Sequence, residues 1–162
     1  LLASGHRDIA FIGGSARLVV TIERMRGYEA ALKDAGIAVR KDYAIHEDFL
    51  LEGGKEAVKQ LMNLENPPSA LVVADDFMAL GVLNMLDEMD INVPEDISVV
   101  SFNNVLTSQL SKPPLSSVDI DIETLGYQAV KLLISKIKNP DGPTMRMIIP
   151  HQLIIRSSVT KK

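Results

Sequence analysis

Two asparagines stand directly after one of the most apolar segments of the chain. Residues 97–102 form a short, nearly continuous apolar run, which is typical of a parallel strand covered on both faces. Asn103 and Asn104 follow this run at once. In open α/β sheets, ligands bind outside the carboxyl ends of the strands, and a side-chain amide can both donate and accept hydrogen bonds. The pattern therefore predicts that these two amides are placed to bind a ligand.

Arg24 is a basic residue that could share such a site. Thr21 is a suitable N-cap for the predicted helix, which would put Arg24 in the first turn, where the helix dipole disfavours a cation by about 0.3–1 kcal/mol. One interpretation is a surface arginine whose charge is offset by Glu23. The other is that its planar set of donors points toward a polyhydroxylated ligand. The sequence leaves both interpretations open.

Asp75 and Asp76 end another predicted strand and open the next helix. As a pair they fit an N-cap and a first-turn acid, and it is equally consistent that one caps the helix while the other contacts a ligand. Phe49 also stands out, because only 4% of the residues are aromatic. It is either a core residue or a surface on which a ligand stacks, and periodicity does not decide between the two.

No catalytic or metal-binding set of residues assembles in the sequence. The Gly-x-Ser-x-Gly sequence of a nucleophile elbow is missing. Residues 46–48, His-Glu-Asp, could be metal ligands, but neighbouring strand residues point to alternating faces, which favours a solvated strand end. Residues 13–15, Gly-Gly-Ser, match neither the P-loop nor Gly-x-Gly-x-x-Gly. We therefore expect no enzyme activity, no metal and no cofactor.

Strand and helix patterns alternate along the chain. Strands are predicted at residues 8–12, 43–46, 70–74, 97–102, 115–118, 147–149 and 153–155. Helices are predicted after Thr21 and ending near Gly36, from Gly53-Gly54 onward, at 77–89, and around Leu125 to Ile137. This β-α-β-α-β-α-β order predicts the α/β class with a doubly wound parallel sheet.

The composition limits the classes of function. With 162 residues, 46% of them hydrophobic and 23% charged, the chain is typical of a globular protein with a sizeable core. It contains no cysteine, which excludes thiol chemistry and suits the cytoplasm. No apolar run reaches the roughly 20 residues needed to cross a bilayer. The net charge of −4 argues against direct binding of this chain to a phosphate backbone.

Seven short motifs in a fixed order carry a family resemblance. They are GHRDIAFIGG at 5–14, RMRGY at 24–28, PSALVVADD at 68–76, MALG at 78–81, VPEDISVVSF at 93–102, PLSSV at 114–118 and IIRSS at 154–158. Together they resemble the LacI/GalR family of bacterial sugar-responsive repressors. The resemblance implies a periplasmic-binding-protein-like (type I) effector domain, in which a small molecule binds between two subdomains.

The resemblance also implies roles for individual residues. Arg24 and Asn103 would contact the effector, Asp75 would lie at the cleft, and Phe49 would stand where members often place an aromatic ring against the sugar. Many members have aspartate where this chain has Asn103, so the identity of the effector stays open. The Ser-Phe-Asn-Asn run at 101–104 and the Ser-Val-Asp-Ile-Asp segment at 117–121 look most like maltose-type repressors.

The family pattern implies that this chain is similar to the C-terminal half only, with a DNA-binding headpiece and a first subdomain upstream. We expect residues 1–6 to be the tail of a helix from the absent N-subdomain, 7–118 the C-terminal effector-binding subdomain, 119–149 a crossover into the N-subdomain, and 150–162 the return strand and C-terminal tail. We also expect a homodimer that uses apolar surface on the second and third helices. That surface would include some of Leu61, Met62, Met85 and Met89.

The expected function is thus the sugar-binding and dimerisation part of a cytoplasmic transcriptional repressor of carbohydrate-utilisation genes. Operator DNA would be bound only through the absent headpiece, and no membrane would be involved. Effector binding would shift the population between two subdomain arrangements and so change operator affinity. The alternative is a periplasmic-type sugar receptor with no DNA function.

Overall fold

Six strands form a single sheet in the order β2-β1-β3-β4-β5-β6 in a computed structural model that describes residues 1–162. The strands are β1 Ile9–Gly13, β2 Ala44–His46, β3 Ala70–Val73, β4 Ser98–Phe102, β5 Ser116–Asp119 and β6 Gln152–Ile154. The helices are α1 Val19–Asp34, α2 Leu51–Met62, α3 Asp76–Glu88, α4 Leu106–Leu110 and α5 Ile122–Lys138, with short 3-10 helices at Leu2–Ser4 and Lys41–Tyr43.

The first five strands are parallel to their neighbours, which confirms the predicted doubly wound sheet. β6 is antiparallel to β5, with Val118 opposite Leu153. The strand predicted at residues 147–149 is wrong, because no neighbouring strand is available there and the segment is irregular. Helix α4 was not predicted, since five residues are too few to show a helical period.

Alternate residues of the strands face two different layers, as the period of two requires. In β1, Ala10 and Ile12 join the larger core cluster with α2 and α3, whereas Ile9 and Phe11 face α1 in the smaller cluster. Two helices cover the first face and one long helix the second. Beside α1, a groove of about 1040 Å³ therefore remains over the strands. Its apolar wall includes Leu1, Val72, Val100, Phe102 and Val118.

The start of α1 differs from the sequence expectation. The N-cap is Leu18, which makes no side-chain capping bond, and Thr21 lies inside the helix rather than at its cap. The Thr21 hydroxyl is buried without a hydrogen-bond partner. The end of α1 is as expected: Gly36 follows the cap with φ +71°, and the N–H of Ile37 donates to the carbonyl of Leu32 over 2.9 Å. These are the features of a glycine-terminated helix.

Helix α5 stands apart from the rest of the structure. None of its side chains is buried, although several are large and apolar. The exposed ones are Ile122, Leu125, Tyr127, Val130, Leu133, Ile134 and Ile137. The assignment of 119–149 to another subdomain stays a prediction, and an apolar surface this extensive is typical of an interaction face. No helix of the chain is both long and apolar enough to cross a lipid bilayer.

The chain ends are joined by a buried histidine. The His6 ring contacts the Ser69 hydroxyl through Nδ1 at 3.1 Å and the carbonyl of Thr160 through Nε2 at 3.2 Å. Since a carbonyl only accepts, Nε2 carries the proton and donates it. Burial lowers the pKa of His6 below its usual 6.5, with a smaller contribution in the same direction from Lys162. The folded state therefore favours the neutral ring.

This shift makes stability depend on pH. Because the folded pKa lies below the unfolded one, the contribution of His6 is present above pH 6.5 and is lost as the pH falls through the folded pKa. We expect the free energy of unfolding, measured with urea between about pH 7 and pH 5, to fall less in His6→Gln than in the wild type. The exposed His151 is the control, and His151→Gln should retain the wild-type slope. An unchanged slope in His6→Gln would contradict the assignment.

Candidate functional site

Three of the predicted site residues meet at the carboxyl edge of the sheet. Nη2 of Arg24 donates to Oδ1 of Asn103 over 3.0 Å. Nδ2 of Asn103 donates to Oδ2 of Asp75 over 2.7 Å. Arg24 also donates through Nη1 to the carbonyl of Ala74, the residue that follows β3. The result is a continuous polar chain that links α1, the end of β4 and the start of α3.

Arg24 is oriented by an aromatic ring that sequence reasoning did not single out. Its guanidinium carbon lies 4.5 Å from the centroid of the Phe102 ring, a distance typical of a cation–π contact. Since α1 begins at Val19, Arg24 lies in the second turn, and the expectation of a first-turn position was wrong. The orientation of its donors thus comes from tertiary contacts and owes little to the helix dipole.

The charges around Arg24 partly offset one another. Burial lowers the pKa of Arg24 from its ordinary value, and the negative charges of Asp75 and Asp76 oppose that change. A guanidinium stays protonated in proteins. The site therefore contains a half-buried cation whose compensating anions are already in place, and it has no need of an anionic ligand.

The two aspartates have separate roles. Oδ1 of Asp75 caps α3 by accepting from the N–H groups of Phe77 and Met78 over 2.7 and 3.1 Å, while its other oxygen accepts from Asn103. Asp75 is thus the N-cap of α3 and also part of the polar chain, while contact of either aspartate with a ligand stays a prediction.

Asp76 is fully buried and lies outside the polar chain. It accepts hydrogen bonds from the hydroxyls of Ser101 and Ser117 and, over 2.8 Å, from the N–H of Val105. The sequence signal for this role was the occurrence of hydroxyl residues within otherwise apolar strands.

The turn after β4 separates the two asparagines. Asn103 has φ +103° and Asn104 has φ +54°, conformations that non-glycine residues rarely adopt and that asparagine tolerates better than most. This backbone directs the Asn103 amide toward Arg24 and the Asn104 amide toward Arg156. The two amides therefore have different partners, and the expectation that both meet a ligand stays a prediction.

Phe49 lies at the same edge of the sheet but outside the polar chain. Its half-buried ring packs against both core clusters and against Gly14. A Cβ atom at Gly14 would lie 2.2 Å from the ring, so the glycine is required for this approach. A stacking role for Phe49 stays a prediction.

The arrangement is suited to binding by hydrogen bonds. No three of the histidine, aspartate and glutamate side chains are grouped so that they could hold a metal ion. His46, considered above as a ligand, contacts the carbonyl of Gly14 through Nδ1 at 3.0 Å. The donors and acceptors of Arg24, Asn103 and Asp75 alternate along one edge, which is the pattern that hydroxyl groups match.

Comparison with known proteins identifies the family. The model of the periplasmic binding protein-like domain matches residues 1–159, and the chain belongs to this family. Within this family, the chain corresponds to the effector-binding part of LacI-family transcriptional regulators.

Individual relatives agree with this assignment. The repressor PurR of Glaesserella parasuis is 34% identical over 165 residues, 98% of this chain and 48% of the relative. CytR of Escherichia coli is 33% identical over 158 residues, 98% of this chain and 46% of the relative. The chain thus spans about half the length of the curated relatives it matches.

Solved structures of related proteins have the same fold and superpose closely on this chain. A transcriptional regulator LacI from Bacillus cereus subsp. cytotoxis superposes with a TM-score of 0.97 at 45% identity, over 99% of this chain and 57% of that one. The transcriptional regulator CelR, in complex with cellobiose, superposes with a TM-score of 0.93 at 30% identity, over 98% of this chain and 48% of that one. The relatives are regulators of transcription, not enzymes.

The buried position of Asp76 leads to a stability prediction. In Asp76→Ala, three donors lose their acceptor inside the protein, so we expect the free energy of unfolding to fall by about 3 kcal/mol or more. Urea unfolding followed by circular dichroism measures this. The exposed Asp87 on the same helix is the matched control, and Asp87→Ala should change stability by less than about 0.5 kcal/mol. Equal effects of the two substitutions would show that Asp76 has no special role.

Proposed function

We propose that this chain is the effector-binding and dimerisation part of a bacterial transcriptional repressor that responds to a sugar. The observation that supports the proposal most directly is the polar chain from Arg24 through Asn103 to Asp75 at the carboxyl edge of the sheet. Ligands of open α/β sheets bind at this edge. Family membership supports the same conclusion.

A neutral, polyhydroxylated ligand fits the site best. Arg24 contributes donors, Asp75 contributes an acceptor, and Asn103 contributes both. The cation and the carboxylate compensate each other, which removes the advantage of a charged ligand. Phe49 would provide an apolar face for the C–H groups of a sugar ring, with Gly14 allowing its approach.

The identity of the sugar is a finer proposal. The motifs at 101–104 and 117–121 resemble those of maltose-type repressors, which makes maltose the first candidate. Cellobiose is the second, because a relative at 30% identity has been solved with it. Both are disaccharides, and both offer more hydroxyl groups than these three side chains can satisfy. The upstream subdomain would provide the remaining contacts.

The proposed mechanism is a population shift in the full-length protein. The sugar would bind between this subdomain and an upstream one, and would favour the arrangement in which both contact it. The segment 119–149, which leaves the sheet as α5, would belong to the upstream subdomain and so connect the two. Operator DNA would be bound in the cytoplasm by an upstream headpiece, whose geometry depends on that arrangement.

Two alternatives are less well supported. A sugar receptor without DNA function would use the same cleft, but the curated relatives are regulators of transcription. An enzyme would need a nucleophile or an acid–base pair at the cleft. The side chains that converge there instead hydrogen-bond one another in a fixed array.

A titration of the full-length protein tests the proposal. We expect maltose or cellobiose to bind in isothermal calorimetry, and Arg24→Ala to weaken binding at least about 10-fold, since a charge-assisted hydrogen bond is worth roughly 1.5–3 kcal/mol. Arg26, on the same helix but exposed in an ion pair with Glu23, is the matched control. Arg26→Ala should leave the affinity unchanged.

Three results would count against the proposal, two from this titration and one from an operator-binding assay with and without the sugar. Equal affinity of Arg24→Ala and wild type would remove Arg24 from the site. Binding of a ligand without sugar hydroxyl groups, with no disaccharide bound, would show that the proposed ligand class is wrong. Binding of a sugar with no change in operator affinity would favour the receptor alternative.

We also propose a homodimer, although on a surface different from the one first expected. Leu61 is fully buried, while Met62 and Met85 are partly buried and pack against the core, so these three residues offer little free surface. Met89 is partly exposed at the end of α3. The exposed apolar side chains on this side of the sheet lie on α4 and at the starts of α2 and α3. They are Leu50, Phe77, Leu106 and Leu110, of which Leu110 is 71% exposed. A two-fold interface would use this one surface on both chains.

Light scattering of the full-length protein tests this surface. We expect a dimer at micromolar concentration and a monomer for Leu110→Glu, because a buried unpaired carboxylate opposes association. Val39, an exposed apolar residue in the loop after α1, is the control, and Val39→Glu should remain dimeric. A wild-type monomer, or a Leu110→Glu dimer of unchanged affinity, would be incompatible with this interface.

A further inference from the structure

Arg156 is a half-buried arginine that the site described above does not include. It lies two residues after the end of β6, and both terminal nitrogens of its guanidinium donate hydrogen bonds. Nη1 donates to the carbonyl of Leu115 over 2.6 Å, and Nη2 donates to Oδ1 of Asn104. Its backbone N–H donates to the hydroxyl of Ser116 over 2.9 Å. One residue therefore connects the return strand, the start of β5 and the turn at the end of β4.

The turn that Arg156 reaches is the one that aims Asn103 at the cleft. Three successive N–H groups hold the backbone of this turn. The N–H of Asn103 donates to the carbonyl of Val118 over 2.8 Å, and the N–H of Asn104 donates to the hydroxyl of Ser117 over 3.0 Å. The N–H of Val105 donates to the carboxylate of Asp76. The bond from Arg156 holds the turn by its Asn104 side chain. Two consecutive residues with positive φ persist only where the surroundings hold them in place.

We propose that Arg156 is a positioning residue of the effector site, which acts through Asn104 to keep the Asn103 amide directed at Arg24. The assignment rests on the proposed function only for the statement that Asn103 meets the effector. An arginine suits this task because its planar fork presents two donors at a fixed spacing, whereas lysine is a single point charge.

The same contacts tie the cleft to the strands that lead out of this subdomain. β5 carries the chain into the α5 segment, and β6 carries it back. Arg156 follows β6, and Val118 and Ser117 belong to β5, so both strands hold the turn that presents Asn103. A ligand that moves Asn103 must therefore move, or be resisted by, the two strands that flank the α5 segment.

Hydrogen exchange of the full-length protein, measured by mass spectrometry without any sugar, tests this assignment. We expect exchange of the N–H groups at 103–105 to be at least about 10-fold faster in Arg156→Ala than in wild type, with peptides from α2 unchanged. Arg156→Lys keeps the charge and the aliphatic stem. It should show the same local effect to a smaller extent, and it replaces the alanine variant if that variant does not fold. Arg26→Ala is the arginine control and should match the wild type.

A double-substitution cycle separates positioning through Asn104 from a general structural role. In an Asn104→Ala background, the Arg156→Ala substitution should add less than about 2-fold to the exchange rate at 103–105, because the partner is already missing. Equal acceleration in both backgrounds, unchanged exchange in Arg156→Ala, or an equal rise in the α2 peptides would overturn the assignment. The exchange measurement needs no sugar, so failure of the sugar titration would be recognised separately.

Discussion

A carboxylate taken out of water must be given hydrogen bonds in return, and the carboxyl edge of this sheet is built around that requirement. Asp76 is fully buried at the start of α3. It takes its bonds from β4, β5 and the turn between β4 and α4. The carboxylate thereby holds β4, β5 and this turn, which lie 25 to 41 residues further along the chain, beside the positive end of the α3 dipole. Displacement of any one of these elements would remove a hydrogen bond from the buried carboxylate of Asp76.

The candidate site depends on this buried carboxylate without including it. The bond from Val105 to Asp76, and that from Asn104 to the Asp76-bound hydroxyl of Ser117, hold the turn that presents Asn103. The neighbouring Asp75 faces the opposite way, where it caps α3 and accepts from the Asn103 amide. The two adjacent carboxylates therefore have different roles. Asp76 holds the elements that support the candidate site, and Asp75 belongs to the site itself.

The local sequence pattern predicted the features that depend on strand pleating and on sheet topology. The alternation of strands and helices predicted the parallel sheet. The rule for strand ends predicted that Asp75 and Asn103 would meet, whereas Arg24 was expected there from its place near a helix start and from the family resemblance. The sequence pattern failed where a contact with a residue distant in sequence determines the local structure. Thr21 does not cap α1, and the residues at 147–149 find no strand to pair with. The outward turn of Asn104 depends on Arg156, which lies 52 residues further along the chain, and no periodicity encodes such a contact.

The cleft wall is satisfied internally, and this shapes how it can bind. Arg24 already donates to Asn103 and to a backbone carbonyl, and Asn103 already donates to Asp75. A ligand therefore meets side chains held in place by one another, so little conformational entropy is lost in ordering them. Because each of these bonds uses one donor or lone pair and leaves others free, a hydroxyl group can join the array without breaking it. On the proposed function, a ligand that lacks a hydroxyl at the right place would leave some of these donors and lone pairs unpaired, and this penalty would discriminate between otherwise similar sugars.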